Sequence, residues 1–174
     1  MNEELLRVLD ARGERWQRRL ELARGRGATL ITVTLCLPVA YRCDPALEAL
    51  LLALCRRLRA MLRANGIHYR QEGMLRGADG PAVFLTASAP AARVKAACVA
   101  AERLLPGGRM LDIDVMDRQG EPVGREALGL PPRQCFVCRQ PAAVCVSRKV
   151  HSREEVRQRV EELLAEARQG LGLR

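Results

Sequence analysis

The run GRMLDIDVMD, residues 108–117, places three aspartates in a stretch that otherwise reads as a buried strand. Side chains alternate along a strand, so Asp112 and Asp114 share a face. Two carboxylates side by side repel each other unless a cation lies between them. Mg²⁺ takes one or two carboxylates together with waters and substrate phosphate oxygens. The pair is therefore a candidate Mg²⁺ platform for phosphoryl or nucleotidyl transfer, in which the metal offsets charge developing on phosphate. The plainer alternative is an edge strand with a wet face and no ligand. Arg109, expected on the same strand, could contact a phosphate. Asp117 opens DRQG and reads as a turn residue.

A second cluster lies in CFVCRQPAAVCVSRKVH. Cys135 and Cys138 form a CxxC, Cys145 follows, and His151 completes four soft ligands within 17 residues. That set could hold a tetrahedral Zn²⁺. A loop-rich segment with few large apolar side chains would gain order from the metal. Two other readings stand beside it: small buried thiols of a reduced protein, and a redox CxxC, for which no βαβ thioredoxin pattern precedes. Cys36, Cys43, Cys55 and Cys98 are expected to be packing residues, and His68 a structural one. No GxxxxGK[ST], Gly-x-Ser-x-Gly or HExxH occurs, so common nucleotide-hydrolase, serine-hydrolase and zincin sites lose weight.

These residues need elements to hold them. Apolar residues at helical spacing predict a helix over 2–25, ended by GRG. ATLITVTLCLP reads as a buried strand. Asp44-Pro45 is an N-cap and first-turn proline for a helix that stops at Asn65-Gly66. Residues 67–75 and AVFLTAS are strands around the turn GADGP. Residues 90–105 form a helix, PGG breaks it, and the aspartate strand spans 109–116. Residues 121–151 are rich in Gly, Pro and Cys and read as irregular. Ser152 with Glu155 forms a capping box for a last helix to Arg168, with a frayed tail. The expected fold is α+β: a small mixed sheet packed with helices, with a nucleotidyltransferase-like arrangement as one option. The 174 residues fit one domain, with residues 1–120 as its core.

The net charge is +9, carried almost wholly by arginine, since only Lys95 and Lys149 are lysines. A basic surface suits phosphates or an acidic partner. Aromatics make up 3% of the chain, too few for the stacking platforms of single-strand nucleic-acid binders. No like-charge block suggests a nucleic-acid tail. The N-terminus lacks an apolar signal core and no run is long enough to span a membrane, so a cytoplasmic, thiol-reducing setting is expected.

Several blocks together resemble the citrate lyase holo-acyl-carrier-protein synthases, the apo-citrate lyase phosphoribosyl-dephospho-CoA transferases. They are Gly108-Arg109 through Asp112-x-Asp114, the run Leu128-Gly129-Leu130-Pro131-Pro132-Arg133, the cysteine pair, and Cys145…Ser147-Arg148…His151-Ser152. LDARGERWQRRL followed by LITVTLCLP also looks like that family's opening. The resemblance implies a reaction in which a serine of the citrate lyase acyl-carrier subunit attacks the α-phosphorus of triphosphoribosyl-dephospho-CoA and diphosphate leaves. Asp112 and Asp114 would hold Mg²⁺, and Arg109, Arg133 or Arg148 would bind phosphate oxygens. One carboxylate could take the serine proton. Two other functions stay open: a zinc-stabilised module that docks a partner without catalysis, and the equivalent transferase for another carrier, such as that of malonate decarboxylase. The Gly-Ser pair that many nucleotidyltransferases carry ahead of the Asp-x-Asp strand is absent here; AAERLLPGG stands in its place.

Overall fold

The computed structural model describes residues 3–38, 41 and 44–173. Helix α1 (Glu3–Arg26) leads to strand β1 (Thr29–Leu35), helix α2 (Pro45–Ala64), and the hairpin β2 (Tyr69–Gly77) and β3 (Gly80–Ala87). Helix α3 (Ala91–Leu104) and strand β4 (Leu111–Met116) follow, and helices α4 (Ala142–Arg148) and α5 (Arg153–Leu171) come last. The α+β class and the Cys-containing segment ahead of the C-terminal helix are as the sequence predicts.

The strand order is β2-β3-β1-β4. Every pairing is antiparallel, so the sheet is not mixed as expected. The reason is topological. The crossovers β1-α2-β2 and β3-α3-β4 each join parallel strands, but another strand lies between the two in each case. The result is the split β-α-β, ferredoxin-like connectivity.

Alternation along the strands separates two faces. Ile31, Val33, Leu85, Ile113 and Val115 enter the main core. There α2 contributes Leu51, Leu54 and Leu58, α3 contributes Val94 and Cys98, and α5 adds Val160, Leu163 and Leu164. The opposite face is covered by α1, where Leu22 and Ala23 pack with Leu30, Phe84 and Met116. Asp112 and Asp114 fall on this second face, under α1.

Local signals act as the sequence implies. Asp44 accepts a hydrogen bond from the Ala46 N–H at 2.8 Å, and Asn65 caps the far end of α2. Ser152 and Glu155 form the capping box of α5. Three expectations change. Residues 142–148 form a helix inside the segment read as irregular; seven residues with one buried side chain, Cys145, are too few to show a period. The tail is not frayed, because α5 continues to Leu171, Gly172 closes it at φ 66°, and Leu171 and Leu173 pack on the core. Cys55 and Cys98 are buried packing residues, whereas Cys36 is exposed, and Cys43 lies outside the described residues.

Gly107 and Gly108 turn α3 into β4. A Cβ at Gly108 would lie 2.5 Å from the Ala101 carbonyl oxygen and 2.9 Å from that of Glu102. Gly108→Ala is therefore expected to destabilise the protein by about 1–3 kcal/mol, read from the urea-unfolding midpoint; an unchanged midpoint would contradict this packing.

Candidate active site

Strand β4 is an edge strand, and its outward backbone groups need partners. Side chains supply most of them. The Ile113 N–H donates to Glu102 Oε1 at 3.3 Å, and Lys95 Nζ donates to the Ile113 carbonyl at 2.7 Å. Lys95 and Glu102 are both buried, and Arg125 pairs with Glu102. Arg133 donates to the carbonyls of Arg109 and Leu111. The Val123 N–H reaches the Val115 carbonyl at 2.8 Å. Asp117 accepts from the N–H groups of Gln119 and Glu121 and so is the turn residue the sequence suggests.

The acid face lies on the other side of this sealed edge. About half of each carboxylate side chain is exposed, 48% for Asp112 and 51% for Asp114. Asp112 Oδ1 accepts from Arg133 at 3.0 Å, and Asp114 Oδ2 lies 3.1 Å from Arg19 Nη1. Thr34 and Thr32 stand opposite them in register on β1. Helix α1 covers the row with a stripe that is apolar at both ends, through Val8, Ala11, Leu22 and Ala23. In the middle that stripe is cationic: Arg15 and Arg19 keep 20% and 12% of their side chains exposed. Arg15 pairs with Asp79 in the β2–β3 turn. Arg12, Arg15, Thr34, Asp79 and Asp112 line a cavity of about 150 Å³. Thr32 Oγ1 and Arg19 Nε are buried without a hydrogen-bond partner. The site thus holds spare polar groups beside its carboxylates.

The sequence singled out Asp112 and Asp114 but not Asp79, Arg12, Arg15 or Arg19. The arginines had a readable signal, since positions 12, 15 and 19 share one helical face and interrupt an apolar stripe. Asp79 had none, because aspartate is ordinary in a turn.

The other arginines separate. Arg109 is not on the strand but in the single 3₁₀ turn before it, Gly108–Met110, and faces the α3 side. Its guanidinium donates to the Gln134 and Cys135 carbonyls at 3.3 and 2.8 Å and stacks over Phe136. Arg148 is exposed in the last turn of α4. Arg133 alone of the three reaches a carboxylate of the pair.

The cysteine cluster assembles in space. One ligand atom each from Cys135, Cys138, Cys145 and His151 lies within 4.8 Å of the others, and the four could hold a metal ion. Cys138 Sγ is 3.5 Å from Cys145 Sγ and 3.3 Å from His151 Nε2. Ligand atoms on a tetrahedral zinc with bonds of about 2.3 Å stand about 3.8 Å apart, so the set needs little adjustment. Burial pushes the Cys135 thiol up, but the N–H groups of Cys138 and Val137 and the neighbouring thiols outweigh it and leave it below its ordinary value. Burial and the two adjacent thiols push Cys145 up to about 12.

The sequence has counterparts among known proteins. The family of apo-citrate lyase phosphoribosyl-dephospho-CoA transferases matches residues 3–167. A protein of that name from Shigella flexneri serotype 5b (strain 8401) is 32% identical over 157 residues, 90% of this chain and 86% of its own. Another from Escherichia coli O9:H4 (strain HS) is 39% identical over 107 residues, 62% of this chain and 58% of its own. The chain belongs to the apo-citrate lyase phosphoribosyl-dephospho-CoA transferase family, as the blocks in its sequence indicate.

The sealed edge makes a prediction. Lys95→Met leaves the Ile113 carbonyl without its buried partner, so stability should fall by about 1–3 kcal/mol. Chemical denaturation measures it, and no loss would show that Lys95 does not hold β4.

Proposed function

We propose that the protein transfers the phosphoribosyl-dephospho-CoA group of triphosphoribosyl-dephospho-CoA to a serine of the citrate lyase acyl-carrier subunit. The observation that carries this reading is the acid face, where Asp112 and Asp114 share one side of β4 and meet the arginine stripe of α1. The displacement is of nucleotidyltransferase type. The serine oxygen bonds to the α-phosphorus, the bond from that phosphorus to the β-bridging oxygen breaks, and its electron pair leaves with diphosphate. The serine proton passes to a carboxylate of the pair. The proposal rests on these side chains and on family membership, not on the chain connectivity.

Asp112 and Asp114 would hold Mg²⁺, an all-oxygen, half-exposed donor pair that suits that ion. When bound, it supplies neutralisation of charge on the triphosphate. Arg19 and Arg133, the partners of those two carboxylates, are then free to turn from carboxylate to phosphate, an exchange suited to the guanidinium fork. The basic chain favours both an anionic substrate and an acidic carrier. The names of the relatives support citrate lyase over malonate decarboxylase as the source of that carrier. Among the described residues no helix is long and apolar enough to cross a membrane, and free thiols suit the cytoplasm.

The second metal of this proposal is Zn²⁺ on Cys135, Cys138, Cys145 and His151, a thiolate-rich donor set typical of structural sites. It would fasten the loop that carries Arg133 to the start of α5. This makes the zinc a support for the transferase site, not the core of a non-catalytic module.

Two measurements test these assignments. Mass spectrometry of the carrier subunit, after incubation with enzyme, Mg²⁺ and the triphosphoribosyl precursor, should show the added group on serine, with diphosphate released. Asp112→Asn and Asp114→Asn should slow this by ~10²–10³-fold while thermal unfolding stays near wild type; full activity in both variants sinks the carboxylate role. Elemental analysis of the purified protein should find about one zinc per chain, lost in Cys138→Ser, and a zinc-free wild-type protein contradicts the metal assignment.

A further inference from the structure

A second recess, about 270 Å³ in volume, opens on the α3 side of the β4 edge, away from the acid face. Four arginines line it, Arg103, Arg109, Arg125 and Arg133, with Glu102 as the single carboxylate. Glu102 is already engaged, because Arg125 and the Ile113 N–H both use it. Arg133 is held by Asp112 and by backbone carbonyls. Arg103 is exposed in the last turn of α3, with no hydrogen bond or ion pair among the described residues.

This surplus of positive charge sits in a concavity with walls formed in part by Leu130, Pro131 and Pro132. Proline fixes its own backbone, so the wall is stiff. A concave site of one sign focuses potential and draws in an anion of the opposite sign. Guanidinium groups converging from several directions suit a multiply charged phosphate better than a single carboxylate.

We propose that this recess is a second anion site, and that it takes the diphosphate joining the adenosine and pantetheine halves of dephospho-CoA. The inference rests on the transferase reading for its ligand. It adds where the far end of that ligand lies. A substrate with a triphosphate at one end and a diphosphate further along needs two cationic sites. Arg133 stands between the two, lining this recess while it holds Asp112. The substrate then straddles the sealed edge of β4, with its reacting phosphate on the α1 side and its dephospho-CoA arm on the α3 side.

Calorimetric titration tests this with three probes in the absence of carrier: dephospho-CoA, inorganic diphosphate, and tripolyphosphate with Mg²⁺. Arg103 is exposed, so Arg103→Gln and Arg103→Glu should fold as wild type does. Arg103→Gln is expected to weaken dephospho-CoA about tenfold, Arg103→Glu to weaken it further, and neither to change tripolyphosphate binding by more than about twofold. Wild-type dephospho-CoA affinity in both variants overturns the proposal, as does an equal loss for tripolyphosphate. Arg103-dependent binding of inorganic diphosphate without that of dephospho-CoA also overturns it, since the occupant would then be the leaving group. If the wild type modifies the carrier but its dephospho-CoA affinity ignores Arg103, the second site fails and the transferase stands. If dephospho-CoA binding depends on Arg103 but the carrier is never modified, the site stands and the transferase reading fails.

Discussion

The rest of the structure depends on how the free edge of β4 is closed. An edge strand exposes backbone donors and acceptors, and one that also carries two carboxylates on a face is doubly awkward. Here the two problems share one solution. Lys95 and Glu102 reach from α3 to both backbone groups of Ile113, and Arg133 reaches from the Pro-rich loop to the carbonyls of Arg109 and Leu111 and to Asp112. Side chains thus close the free edge of the strand in place of a neighbouring strand, while its acid face lies under α1 with about half of each carboxylate side chain exposed.

Each carboxylate of that face rests on an arginine. Asp112 rests on Arg133, Asp114 on Arg19 and Asp79 on Arg15. The carboxylates of the first two pairs are half-exposed, and pairs open to water on one side contribute little to stability, on the order of 1 kcal/mol each. They are cheap to exchange. Arg15 and Arg19 occupy positions of α1 that an ordinary amphipathic helix would fill with leucine, which costs packing against the sheet. Thr32 Oγ1 and Arg19 Nε, buried and unpartnered beside Asp114, add polar capacity that the protein alone leaves unused. These costs make sense where a polyanion and its cation complete the layer.

Much of this was legible in the sequence because it was local. The helix caps at Asp44 and Ser152, the hairpin around residues 77–81 and the aspartate alternation each depend on neighbours within a few positions. What escaped was set at long range. The antiparallel sheet follows from which strands intervene between crossover partners, and no single segment encodes that. The seven residues of α4 are stabilised by their place beside the cysteine cluster, not by a visible period. Arg109 reads as a strand residue, yet Gly107 in the left-handed region bends the chain into a 3₁₀ turn and sends it to the α3 side. Asp79 is a turn aspartate until α1 places Arg15 above it. The four metal-binding candidates were legible as a spacing, and the fold supplied their proximity.

The central claim is that Asp112 and Asp114 trade arginine for a metal-bound phosphate chain. A crystal structure of the protein with Mg²⁺ and tripolyphosphate tests it directly. The account predicts a metal about 2.1 Å from oxygens of Asp112 and Asp114, with Arg19 and Arg133 turned onto phosphate oxygens. Phosphates bound elsewhere, with Asp112 still on Arg133 and Asp114 still on Arg19, would contradict it.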